Sequence, residues 1–142
     1  MSVMFDHEKL KVYQQAVTFV AWVDEVLPTI PKSISVRDQL DRASTSIPLN
    51  IAEGNGKYTA PDRCRFFDIA RGSALECAAC LDVLVARKHL ANAAAIPGKE
   101  RLVQIVSMLV GLIRSNSADR VYEGEVPYGD GKAGVEIKSA TG

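Results

Sequence analysis

Ser46-Ile47-Pro48-Leu49-Asn50-Ile51-Ala52-Glu53-Gly54 sets a proline inside a stretch whose apolar residues otherwise keep helical spacing, and ends it with glycine. Val36, Leu40, Ala43, Ile47 and Ile51 recur every three or four residues, which is one face of a helix. The spacing predicts a helix from Val36 to Glu53, capped by Ser33 or Ser35 and stopped by Gly54 and Gly56. Within it Pro48 deletes one hydrogen bond and clashes with the carbonyl of Ser44, at a cost of about 3 kcal/mol. The expected response is a kink over Thr45–Pro48, with the Ser44 or Thr45 hydroxyl, or water, covering the freed carbonyl. Such a bend either wraps the helix around a core or aims Asn50 and Glu53 at a ligand.

Downstream, Phe66-Phe67-Asp68-Ile69-Ala70-Arg71-Gly72-Ser73 belongs to a longer helix. Thr59 is placed to cap it. Pro61 sits in the first turn, where its missing N–H is no loss, and Asp62 suits the positive end of the helix dipole. The pattern runs to about Leu90, with Phe66, Ile69, Ala70, Ser73, Cys77, Leu81 and Leu84 inward. Upstream, Leu10, Tyr13, Val17, Val20 and Leu27 define a first helix over His7–Leu27, stopped by Pro28 and Pro31. A fourth helix, from about Pro97 to Arg120, turns Leu102, Ile105, Val106, Leu109, Leu112 and Ile113 inward. No segment alternates apolar and polar residues long enough to be a strand. Short connections make consecutive helices antiparallel. The expected fold class is all-α: an up-down four-helix bundle over residues 1–120, then a glycine-rich tail, 121–142, expected to be flexible.

The 142 residues suit one domain. Apolar residues make up 47% of them, enough for a core. The longest apolar-rich run, Ala16–Val23, is interrupted by Thr18 and is too short to cross a bilayer. The opening residues lack the basic-then-apolar order of a secretion signal, and three cysteines fit a reducing compartment. These features point to a cytoplasmic protein with no membrane partner. Formal net charge is zero, with −2 on residues 121–142 and +2 on the remainder. Nucleic-acid binders usually carry a strongly basic domain or stripe.

The first and fourth helices carry more apolar surface than one stripe requires. Val12, Phe19, Trp22 and Val23 add to the first, and Val103, Met108 and Val110 to the fourth. Either these widened stripes pack on two neighbours inside the bundle, or the surplus marks self-association. In the second case Phe19, Trp22, Val103 and Val110 are the candidate interface residues, with the aromatics as anchors.

The chemistry-bearing residues are sparse. Cys77-x-x-Cys80 lies in mid-helix, where no dipole lowers a thiol pKa, and Cys64 supplies no zinc pattern. Small buried apolar residues are the reading. His7 and His89 have no evident partner. Glu53 and Glu76 could face each other across the second and third helices, with Arg42 and Arg71 as counter-ions and Asn50 beside them. That set forms a structural Arg–Glu–Asn network or, in a rival enzymatic reading, an acid–base pair assisted by His7 or His89. Metal-binding Glu-x-x-His is absent from the sequence. No cofactor is implied. Gly54-Asn55-Gly56-Lys57 has neither phosphate-loop spacing nor a preceding strand. The basic residues Lys57, Arg63, Arg65, Arg87 and Lys88 are solvated helix faces or, multiplied in an oligomer, candidate phosphate contacts.

The stretch 46–54 resembles the hallmark of the four-helix bundle proteins encoded in intervening sequences of bacterial 23S ribosomal RNA genes. Phe5-Asp6-His7-Glu8-Lys9-Leu10-Lys11-Val12-Tyr13, Asp38-Gln39-Leu40-Asp41-Arg42-Ala43 and Arg65-Phe66-Phe67-Asp68-Ile69-Ala70-Arg71-Gly72-Ser73-Ala74-Leu75-Glu76 resemble further elements of that family. The resemblance spans roughly residues 5–120. It marks Arg42, Pro48, Asn50, Glu53, Gly54, Arg71 and Glu76 as the structural motif. It implies an antiparallel bundle, a ring-like homopentamer, proximity to nucleic acid and no enzymatic activity. Related accessory proteins of diversity-generating retroelements bind nucleic acid and a reverse transcriptase. The partners expected by this resemblance are further copies of the chain, RNA or DNA, or another protein.

Overall fold

The computed structural model describes residues 3–124, with side chains described to residue 117. A short 3₁₀ helix, Asp6–Lys9, leads into α1, Lys11–Val26. A second 3₁₀ turn, Leu27–Thr29, follows, then α2, Ser35–Asn55, α3, Ala60–Ala86, and α4, Asn92–Gly124. Among the described residues there is no strand. The molecule is an all-α four-helix bundle. The part of the expected tail from residue 125 onward lies outside the described residues, and α4 itself extends past the expected boundary at residue 120 to Gly124.

α2 forms where its apolar stripe predicts. Val36, Leu40, Ala43, Ile47 and Ile51 are all buried. No side chain caps its start, and neither Ser33 nor Ser35 is the N-cap; that position is Ile34. Arg37 secures the connection instead, its Nε donating to the carbonyls of Leu27 at 3.1 Å and Ile30 at 3.0 Å. The helix runs through Pro48, which is buried. The Ser44 and Thr45 hydroxyls both donate to the carbonyl of Asp41, not to that of Ser44 as expected. Gly54 is not a stop either: it lies inside α2, which ends at Asn55 with Gly56 as its cap.

α3 starts as expected, with Thr59 Oγ1 accepting from the Asp62 N–H at 3.3 Å and proline in the first turn. It ends earlier than expected, at Ala86. Lys88 adopts a left-handed conformation with φ of 64°, and the N–H groups of Lys88 and His89 close back on the carbonyls of Val85 and Leu84. Its buried face is Phe67, Ala70, Ala74, Cys77, Cys80, Leu81 and Leu84. Phe66 and Ser73, expected inward, are only half-buried, and Ile69 is exposed. α4 begins at Asn92, five residues before Pro97, which sits exposed inside it.

The core is one contiguous cluster fed by all four helices. Each fully buried Leu, Ile or Phe contributes about 1.5–3 kcal/mol of hydrophobic stabilisation. In α1 the buried stripe is Val12, Ala16, Phe19, Val23 and Val26, and it includes Val12, Phe19 and Val23, three of the four residues read as surplus. Val17, read as core, is exposed. Paired positions fix the packing sense of the neighbours. Ser46 meets Ser73 while Gly54 meets Phe67, so α2 and α3 run oppositely. Asp82 meets Lys99 while Cys64 meets Ile113, so α3 and α4 do too.

Candidate interaction surfaces

The 46–54 stretch divides by helical face. Ile47, Pro48, Ile51 and Gly54 point into the bundle. A methyl group at Gly54 would stand 2.9 Å from the Phe67 ring and 3.1 Å from Phe66 Cβ. This glycine therefore sets how closely α2 and α3 approach. The other face carries polar groups along the outer α2–α3 seam. The Ser46 and Ser73 hydroxyls share a 2.8 Å hydrogen bond, and Asn50 Nδ2 donates to the Ser46 carbonyl and hydroxyl, both at 2.9 Å.

The expected Arg–Glu–Asn network does not form. Arg42 pairs with Asp38 at 3.2 Å and Arg71 with Asp68 at 2.9 Å, each along its own helix, and Glu53 with Lys57 at 3.2 Å across the end of α2. Glu76 lines an open hollow of about 290 Å³ with Gln39, Arg42, Ser46 and Ser73. That hollow lies some ten residues of α2 from Glu53, a separation of about 15 Å. The two carboxylates are thus not brought together. His7 stacks on Phe5 at 5.9 Å and meets the Tyr13 ring edge-on at 4.7 Å. His89 lies beyond the opposite end of α3. The Cys77 thiol is pushed well above its ordinary value, first by burial and then by Cys80 and Glu76; burial likewise raises that of Cys80. A raised thiol pKa disfavours the thiolate, which is the reactive form. Among the described residues no group of His, Cys, Asp or Glu is placed to hold a metal ion.

The five basic candidates do not form one patch. Lys57, Arg63 and Arg65 lie at the start of α3 and Arg87 and Lys88 beyond its end, about 40 Å away along a 27-residue helix. Arg63 is committed internally. Its guanidinium donates to the carbonyls of Asn55 at 2.8 Å and Lys57 at 3.3 Å and to Asn116 Oδ1 at 3.0 Å, and lies over the Phe67 ring. Lys57 and Arg65 both stand over Phe66, at 5.1 and 4.5 Å from its centroid. Sequence reasoning passed over Tyr58, whose side chain is 100% exposed. The signal for it was present: between Lys57 and Phe66, aromatic and cationic residues interleave.

Phe19, expected at an interface, is 0% exposed and belongs to the core. Trp22 stacks with Phe19 at 5.7 Å and packs on Gly98 of α4, so it anchors α1 within the bundle. Val110 is half-buried, whereas Val103 is 69% exposed. Other apolar side chains reach solvent that the stripes did not flag. Leu75 lies two turns before Asp82 and Val103 one turn after Lys99. The Asp82–Lys99 pair, at 2.6 Å, therefore places both on the outer α3–α4 seam. Leu49 and Ile69 lie one turn from Ser46 and Ser73, which places both on the outer α2–α3 seam.

The fold and these surfaces define a helical bundle whose exposed apolar and polar features gather on the outer helix seams, not in a cleft. The chain belongs to the 23S rRNA-intervening sequence protein family, whose model matches residues 8–111. No curated protein matches it in sequence. Among solved structures it is similar to a protein of unknown function from the S23 ribosomal protein family of Bacteroides thetaiotaomicron. The TM-score is 0.67 at 19% identity, over 72% of this chain and 97% of that one. At that identity the likeness speaks for the fold. No helix among the described residues is long and apolar enough to cross a membrane.

Proposed function

We propose that this chain is a non-enzymatic scaffold that assembles with copies of itself, and that the assembly serves RNA, DNA or an enzyme acting on them. The carrying observation is the exposure of apolar side chains on two separate seams, Leu49 with Ile69 and Leu75 with Val103. Exposed apolar side chains from two helices on one seam favour association when they share a patch. Two different seams on one protomer suit a head-to-tail contact, in which the α2–α3 seam of one copy receives the α3–α4 seam of the next. Such contacts close into rings when the rotation permits, which suits the homopentamer implied by the resemblance. The family's description, which ties it to 23S rRNA intervening sequences, supports the nucleic-acid part.

Light scattering tests the assembly. The expected mass is a multiple of 15.4 kDa, and the exposed-site variants Leu49→Asp and Val103→Asp should each yield folded monomer, since neither side chain belongs to the core. A wild-type species of 15.4 kDa at micromolar concentration would overturn the proposal.

A further inference from the structure

The end of the bundle that holds the α2–α3 turn gathers most of the described aromatic rings. Phe5, Tyr13, Tyr58, Phe66 and Phe67 lie there, against Phe19 and Trp22 elsewhere. Tyr58 sits in the connection between Asn55 and Ala60, fully exposed yet held on both sides. Before it, the Lys57 carbonyl accepts from Arg63 and the Lys57 N–H donates to Gly54. After it, Thr59 caps α3. Arg63 further ties this turn to Asn116 of α4. Phe5, 64% exposed, is a second ring at this end, because Asn55 Nδ2 donates to Asp6 Oδ2 at 2.9 Å and fastens the first 3₁₀ helix to the end of α2.

We infer that this end is a stacking site for unpaired bases of a single-stranded nucleic acid, with Tyr58 as the principal ring and Arg65 as its phosphate contact. The inference rests on the nucleic-acid part of the function proposed above and specifies where and in what form the strand binds. Every base offers a π-face, so stacking on exposed aromatics tolerates sequence and draws part of its affinity from the rings, beside the cations that follow the backbone. That fits a chain with 17 basic and 17 acidic residues, which is poorly equipped to neutralise the many phosphates of a duplex. Arg65 is exposed, and among the described residues no carboxylate lies within ion-pair distance of it. Lys57 is partly committed to Glu53. A duplex keeps its bases stacked on one another and has none to offer Tyr58.

The test is fluorescence anisotropy with labelled mixed-sequence RNA and DNA strands of about twelve nucleotides, and the same strands annealed to their full complements as blunt duplexes, at about 50 and 200 mM salt. The expected result is tighter binding of single strands than of duplexes. Tyr58→Ala should weaken binding about tenfold with an unchanged salt slope, and Tyr58→Phe should restore it. Arg65→Ala should lower the slope by about one. Preference for single-stranded RNA over DNA would add a contact to the 2′-hydroxyl without moving the site. Binding insensitive to Tyr58→Ala, or stronger for duplex, overturns the stacking site and leaves the nucleic-acid reading standing. Absence of binding by every probe at low salt overturns both.

Discussion

At the residue scale, the glycines show how packing overrides propensity. A helical glycine replaced by alanine ordinarily gains about 1 kcal/mol. At Gly111 nothing lies within 4 Å of the added methyl, so Gly111→Ala should raise the urea midpoint accordingly. At Gly98 the same methyl would enter the ring of Trp22. There alanine should destabilise by about 1–3 kcal/mol, read in the same titration, and an equal gain at both positions would refute the account. The Gly98 contact was not legible in the sequence. Trp22 looked like a surface anchor because nothing local to α1 reveals that a glycine 76 positions later makes room for its ring. Gly54 was conspicuous, but as a helix terminator. Its use as the contact point for Phe67 depends on a helix not yet placed.

At the element scale, the ends of α3 and α4 carry the sharpest departures. Lys88 holds φ of 64° without being glycine, a conformation that costs an ordinary residue about 1 kcal/mol. Lys88→Gly should raise stability by about that amount, because glycine is the favoured residue at this post-helical position. Thermal unfolding would show it as a higher Tm, and an unchanged or lower Tm would contradict the reading. This stop was invisible beforehand, since a lysine there gives no signal, and the helix was extended to Leu90. Pro97 misled in the other direction. It looked like a first-turn proline, while the alanines at 93–95 had already begun the helix. By contrast α2 was read almost to the residue, because its single apolar stripe leaves one choice of inward face. α1 offers two apolar arcs, and only the neighbouring helices decide between them. The candidate surfaces were harder still. Leu49, Ile69 and Leu75 became outward-facing only once the pairing of α2 with α3 and of α3 with α4 was fixed.

At the scale of the whole molecule, the four helices are not equal partners. α3 packs extensively on both α2 and α4, whereas α1, at 16 residues the shortest, touches its neighbours much less. The two seams proposed for assembly both border α3, so association would reinforce the part already best secured. What holds α1 is its buried stripe, the seat of Trp22 on Gly98, and the Arg37 bonds to Leu27 and Ile30 just past its end. The consequence is a hierarchy of opening. α1 should detach as a cooperative unit while α2, α3 and α4 remain folded, because local unfolding follows the least densely packed element. Native-state hydrogen exchange should therefore give the α1 amides a lower opening free energy than the amides in the middle of α3, which exchange through global unfolding alone. A single opening free energy shared by both would mean that the molecule unlocks all at once.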